Sequence, residues 1–280
     1  MITQKSSIEN PSAKYERFFS EWGQTRAAVS GKAAILELQG VLQSPLYKAR
    51  PDYKDAHGNL FSGNRCEVDA RRDAYWRRAR YFNATGRTHD TLCGMVWSKA
   101  AEVEIPSQLE YLNKKGIGLT AIAQQIVSNV TSVGRHGALV DMPNTGGNAS
   151  IDEQARGEKA PCIITYRAED IIYWREDEAL IEVRLLETYE ELKDEFTVIE
   201  RPQVRRLIII DGVYNNQIYR DGELVESFTP RMNGQTMQAI PFQFFGADDN
   251  SSDVSAIPLF DLGSQNLGHY ALDADNRDNL

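Results

Sequence analysis

The residue types that could carry chemistry in this chain are few and scattered. The four histidines are His57, His89, His136 and His269. No two of them have the spacing of a metal-ligand pair, and none sits in a nucleophile motif. They read as exposed or capping residues. Cys66, Cys93 and Cys162 are odd in number and far apart, with no CxxC arrangement. That pattern fits reduced, buried, small apolar residues of a cytosolic fold. The acidic runs Glu176-Asp177-Glu178 and Glu190-Glu191 invite a two-metal hydrolase reading, with nucleic acid as substrate. Both fall at strand ends among other charges, so solvated turns account for them better. Gly146-Gly147 has no Lys-Ser or Lys-Thr after it and is not a P-loop. Gly134-Arg135-His136-Gly137 could cradle an anion through backbone N–H groups, but the flanking pattern favours a helix-to-strand turn. The expectation is no catalytic residue, no metal and no cofactor.

The arginines carry more weight. Arg65, Arg71, Arg72, Arg77, Arg78, Arg80 and Arg87 fall within 23 residues, interleaved with Tyr75, Trp76, Tyr81 and Phe82. Such a cluster could bind phosphate and stack on bases. It could equally form ion pairs with a neighbouring subunit, or be an exposed helix. Helical spacing spreads the seven around the cylinder, which argues against one DNA-binding stripe. The charge distribution favours the second reading. Residues 60–100 carry 8 Lys/Arg and 4 Asp/Glu, net +4, whereas residues 150–226 carry 10 and 19, net −9, and residues 248–280 carry 1 and 7, net −6. Opposite poles on one chain suit head-to-tail packing of identical subunits. Arg71, Arg72, Arg77 and Arg78 are the candidate inter-subunit residues.

At 280 residues the chain can bury a sizeable core, as one large domain or two small ones. A formal net charge of −9 repels nucleic acid and anionic membranes as a whole. No apolar run approaches the ~18 residues of a spanning helix, and the N-terminus lacks the apolar core of a signal peptide.

The elements that would position these residues can be read from periodicity. Residues 13–30 form a helix with Tyr15, Phe18, Phe19, Trp22 and Ala27 on its apolar stripe. An extended loop spans 44–64. A helix from Glu67 to Asn83 follows, then a break at Asn83-Ala84-Thr85-Gly86, then a helix from His89 to Trp97 capped by Thr88. Leu119, Ile122, Ile126, Val130 and Val133 predict an amphipathic helix stopped at Gly134. A strand from Ala138 to Met142 leads to a polar surface loop. From Pro161 the chain becomes β-rich, with strands around Ile163–Tyr166 and Ile181–Leu185 and a further one at Phe196–Ile199. Val204–Ile210, Val213–Tyr219 and Leu224–Phe228 are separated by Asp211-Gly212 and Asp221-Gly222, a strong signal for two tight hairpins. Ile240–Phe245 is a further apolar run, and Leu259–Leu280 reads as a final helix.

The order of these motifs resembles portal proteins of tailed bacteriophages, in particular a prophage-associated portal-like family. The matching segments are Tyr81-Phe82-Asn83-Ala84-Thr85-Gly86-Arg87-Thr88 with Gly94-Met95-Val96; Gly134, Gly137 and Asp141; Tyr166 through Ile172 with Trp174; Asp211-Gly212-Val213-Tyr214; Ile240-Pro241-Phe242; and Pro258-Leu259 through Asn266-Leu267 and His269-Tyr270. The resemblance runs from about Tyr15 to the end. It implies a homo-oligomeric ring, usually of twelve subunits, at one capsid vertex, in the virion and before that in the host cytoplasm. Double-stranded DNA would pass through it, the terminase motor would dock on it, and capsid and tail or adaptor proteins would be its other partners. No membrane is implied.

The implied fold is an α+β portal wing. Residues 1–64 would be an N-terminal helical arm and extended loop, and 65–258 a wing of helices on a mainly antiparallel sheet. Residues 259–280 would be the start of a stem helix, with Asp261, Asp273, Asp275 and Asp278 facing the channel. Family members continue well beyond this point, so the expectation is a fragment, a split product or a portal completed by a second polypeptide. A tail adaptor is the neighbouring alternative.

Overall fold

Two Asp-Gly pairs organise the larger of the sheets. A computed structural model describes residues 8–38, 75–102, 118–142, 161–194, 196–232 and 234–278. Within it, strands β3 (Ile171–Glu176), β4 (Leu180–Leu192), β5 (Val198–Ile210), β6 (Val213–Arg220) and β7 (Glu223–Phe228) form a five-stranded antiparallel meander in sequence order. Asp211 and Gly212 have φ of 49° and 76°, and Asp221 and Gly222 have 49° and 81°. Two successive left-handed residues are what a two-residue hairpin of right-handed twist requires. A Cβ built on Gly212 meets nothing within 4 Å, so its φ alone disfavours a side chain there. Gly212→Val is therefore expected to cost about 1 kcal/mol or more, and Gly222→Val a similar amount, read from thermal melts. Unchanged melting of both variants would contradict the turn assignment.

A second sheet has the order β10-β1-β2, all antiparallel. It consists of β1 (Arg135–Asp141), β2 (Cys162–Arg167) and β10 (Phe242–Gly246), with Ile240-Pro241-Phe242 entering β10. A short ribbon pairs β8 (Arg231–Met232) with β9 (Gln235–Thr236). The 3-10 turn Ala168–Asp170 joins β2 to β3 and so links the two sheets. Their facing residues, among them Leu139, Tyr166, Ile171, Val183, Leu185, Leu207, Tyr214 and Phe242, make one core, which Tyr15 and Trp22 of the first helix close.

Helix α1 (Ala13–Ser30) begins at Ser12, whose hydroxyl accepts from the Tyr15 N–H, and α2 (Lys32–Glu37) follows after Gly31. Residues 75–78 are helical, α3 spans Ala84–Val96, α4 Leu119–Val133 and α5 Phe260–Asp278. Gly134 ends α4 in the left-handed conformation, φ 73°, as expected. Ala27, Ala28, Ile35, Tyr75, Trp76, Ala79, Leu267, Tyr270 and Ala274 form a second, all-helical core. The fold is thus α+β, with helices on antiparallel sheets and a helix at the C-terminal end.

Several elements differ from the sequence reading, each for a physical reason. The break near residue 83 falls earlier than expected. Helix α3 starts at Ala84, not His89, and its cap is Asn83, not Thr88, because the Asn83 carboxamide oxygen accepts from the Gly86 N–H at 2.8 Å. Strand β1 starts at Arg135 directly after Gly134, so Arg135-His136-Gly137 belongs to the sheet and only Gly134 to the turn. Residues expected as separate strands at Phe196–Ile199 and Val204–Ile210 are joined in β5. Pro202 is tolerated inside it because β6 pairs with β5 only from Val204 onward, so the prolyl nitrogen needs no partner on that side. The loops expected at 44–64 and after Pro143, and the helix residues 67–74, lie outside the described residues.

The sheet core contains two basic side chains that alternation alone would not place there. Arg135 is buried between the rings of Trp174 and Phe244, its guanidinium carbon 4.3 and 4.4 Å from their centroids. Burial lowers its pKa to about 10. His136, on the next position of β1, is fully buried, and neither ring nitrogen has a protein partner. Burial, with Arg26 and Arg167 nearby, lowers its pKa from 6.5 to about 4. Between those pH values the unfolded chain binds the proton and the folded chain does not. Stability should therefore fall as pH drops from 6.5 to 4, by up to about 3 kcal/mol from this group. His136→Phe should flatten that part of the stability–pH curve in urea titrations. A variant slope equal to that of the unaltered chain would remove His136 as the cause.

Candidate functional site

The described residues singled out from sequence lie in the segment 75–80 and on α5. Arg77 and Arg78 are exposed and are the last two of the helical residues 75–78. Arg71 and Arg72 lie outside the described residues. On α5, Asp261 is exposed, and the side chain of Asp278 lies outside the description. Asp273 and Asp275 point to their own chain. Asp273 accepts from the Arg80 N–H at 2.7 Å and from Arg277 Nε at 2.7 Å, and these bonds hold its carboxyl below the usual carboxylate range. Asp275 accepts from the Tyr75 hydroxyl. The acidic end of α5 and the basic segment 75–80 thus meet within one molecule.

That meeting is part of a larger clasp built around Asn266. Its Oδ1 accepts from the Ala84 N–H at 2.9 Å, the Thr85 N–H at 3.1 Å and the Thr85 hydroxyl at 3.1 Å. Its Nδ2 donates to the Phe82 carbonyl at 2.9 Å. A helix N-terminus leaves its first amides without intrahelical partners. Here a side chain from α5 and the cap residue Asn83 satisfy three of them. Asn83 also donates to the Val29 carbonyl at 2.9 Å, which ties α3 to α1. A Cβ on Gly86 would lie 2.5 Å from both Asn83 Nδ2 and the Val29 oxygen, so only glycine permits this approach. Tyr81 and Tyr270 close the clasp by donating to the carbonyls of Ala28 and Trp76.

A second set of polar contacts joins the sheets and α1. Arg205 on β5 donates to Glu187 Oε1 at 2.8 Å and to Asp141 Oδ1 on β1 at 2.9 Å, and Tyr166 on β2 donates to Glu187 at 2.6 Å. Burial works against the Arg205 charge, but Glu187, Tyr166 and Asp141 outweigh it and push its pKa up. On the opposite face of β4, Glu182 is buried against Arg184 and Arg206, each at 2.8 Å. Burial would raise the Glu182 carboxyl, and the hydrogen bonds from these two arginines bring it below its ordinary value. Arg26 of α1 grips Glu169 through two bonds of 2.7 and 2.9 Å and donates to Asn129 of α4 at 2.9 Å.

One arrangement has the outline of a catalytic pair. Cys93 Sγ lies 3.5 Å from His89 Nε2, and His89 Nδ1 lies 3.3 Å from Asp90. The same Nε2 sits 2.9 Å from the Ser128 carbonyl oxygen. A carbonyl can only accept, so Nε2 carries the proton and cannot take one from the thiol. Burial pushes the Cys93 thiol up, away from the reactive thiolate. His89 and Cys93 stand four residues apart on one helix, and that spacing alone brings them together.

The acidic runs do not converge either. Glu176-Asp177-Glu178 lies at the turn from β3 to β4, and Glu190-Glu191 at the far end of β4, twelve residues later and ~40 Å along an extended strand. They cannot share a metal pair. Among the described residues no group of three or more His, Cys, Asp or Glu could hold a metal ion, and no helix is long and apolar enough to cross a membrane.

Two exposed apolar surfaces among the described residues were missed in the sequence. One is the C-terminal half of α3, where Leu92, Met95 and Val96 are exposed. The other is the tip of the β4–β5 hairpin, with Leu192, Phe196 and Val198. The available signal was a helical stripe that runs on past its buried turns, and a hairpin longer than its neighbouring strands. No model of a known protein family and no curated protein matches this chain.

Proposed function

We propose that the chain is the wing portion of a tailed-phage portal protein, a structural subunit that associates with copies of itself into a ring at a capsid vertex. Its role would be mechanical: the ring admits DNA during packaging and releases it at ejection, while the hydrolysis that drives packaging belongs to a separate motor. The observation that carries this reading is the Asn266 clasp. The segments at Tyr81–Thr88 and Asn266–Tyr270, which bear the resemblance, lie about 180 residues apart and meet in one packing unit. Asp141 and Tyr166, from two further resembling segments, likewise fasten β1 and β2 to the large sheet. Residues used this way build a rigid body, which is what a load-bearing ring subunit needs.

Within this reading α5 starts the stem, and Asp261 is the acidic residue best placed to face a channel. A wall of like charge would keep DNA from sticking, since each phosphate neutralised by Lys or Arg adds salt-dependent affinity. The test is location. Particles from cells carrying the gene, labelled with gold against an epitope tag on this chain, should bear label at a single vertex of each head. Label spread over the whole shell, confined to the tail, or absent from particles would overturn the proposal.

A further inference from the structure

We draw no further inference here: the strongest candidate, the exposed apolar tip of the β4–β5 hairpin at Leu192, Phe196 and Val198, carries none because nothing in the structure shows what covers it.

Discussion

Asn266→Leu should destabilise the protein by about 3 kcal/mol or more. The substitution roughly keeps the volume of the side chain but removes every polar contact that Asn266 makes. The amides of Ala84 and Thr85 lose their acceptor and the Phe82 carbonyl loses its donor. Thr85 is fully buried, so its groups find no water in exchange. Each buried polar group left unpaired costs about 1–3 kcal/mol, with some relief as the first turn of α3 frays. Asn266→Asp separates capping from packing. A carboxylate still accepts from the two amides and is favoured at a helix N-terminus, so only the bond to Phe82 is lost. Urea unfolding should rank the chains unaltered, Asp, then Leu. A Leu variant within about 1 kcal/mol of the unaltered protein would mean that the clasp contributes little beyond shape.

Arg205→Met should cost about 3–5 kcal/mol at neutral pH, because it strands two carboxylates between the sheets. Glu187 and Asp141 have side chains only 14% and 7% exposed. Without the guanidinium their repulsion is uncompensated, and Tyr166 cannot neutralise it. Adding Asp141→Asn to the Met variant should recover a large part of the loss, since one buried charge is gone. Arg205→Lys should fall between, because one ammonium cannot serve Glu187 and Asp141 with the fork geometry that a guanidinium offers. No recovery on adding Asp141→Asn would show that Arg205 acts through packing alone.

These two sites also show what a single sequence reveals and what it hides. The hairpins at Asp211-Gly212 and Asp221-Gly222 were legible because local backbone chemistry decides them. The helix ending at Gly134 was legible because an apolar period and a left-handed stop coincide. The role of Asn266 was not, since three of its four bonds go to backbone groups about 180 residues away, and backbone groups leave no mark in the side-chain pattern. The cap of α3 was misplaced for the same reason. Thr88 also carries a capping side chain, though a weaker one than Asn83, and contact with α1 and α5 adds to that preference. The alternation in β4 was read as one buried face with Glu182 and Arg184 outward. That face is covered by its own charges, with Arg184 stacked 4.2 Å from the Tyr173 ring centroid and donating to the Ile8 carbonyl. Pairing of that kind hides charge as effectively as apolar contact does, yet it reads in the sequence as solvent exposure.

The charge asymmetry was legible as a number but not as a geometry. Its basic segment 75–80 lies against the acidic end of α5 in the same molecule, through Asp273 and Asp275.

Electron microscopy of the purified gene product, expressed with any in-frame continuation beyond residue 280, bears on the ring itself. The account predicts closed annular particles of uniform subunit number, with an axial opening wide enough to admit a DNA duplex. Monomers at all concentrations, isologous dimers or open filaments would contradict it.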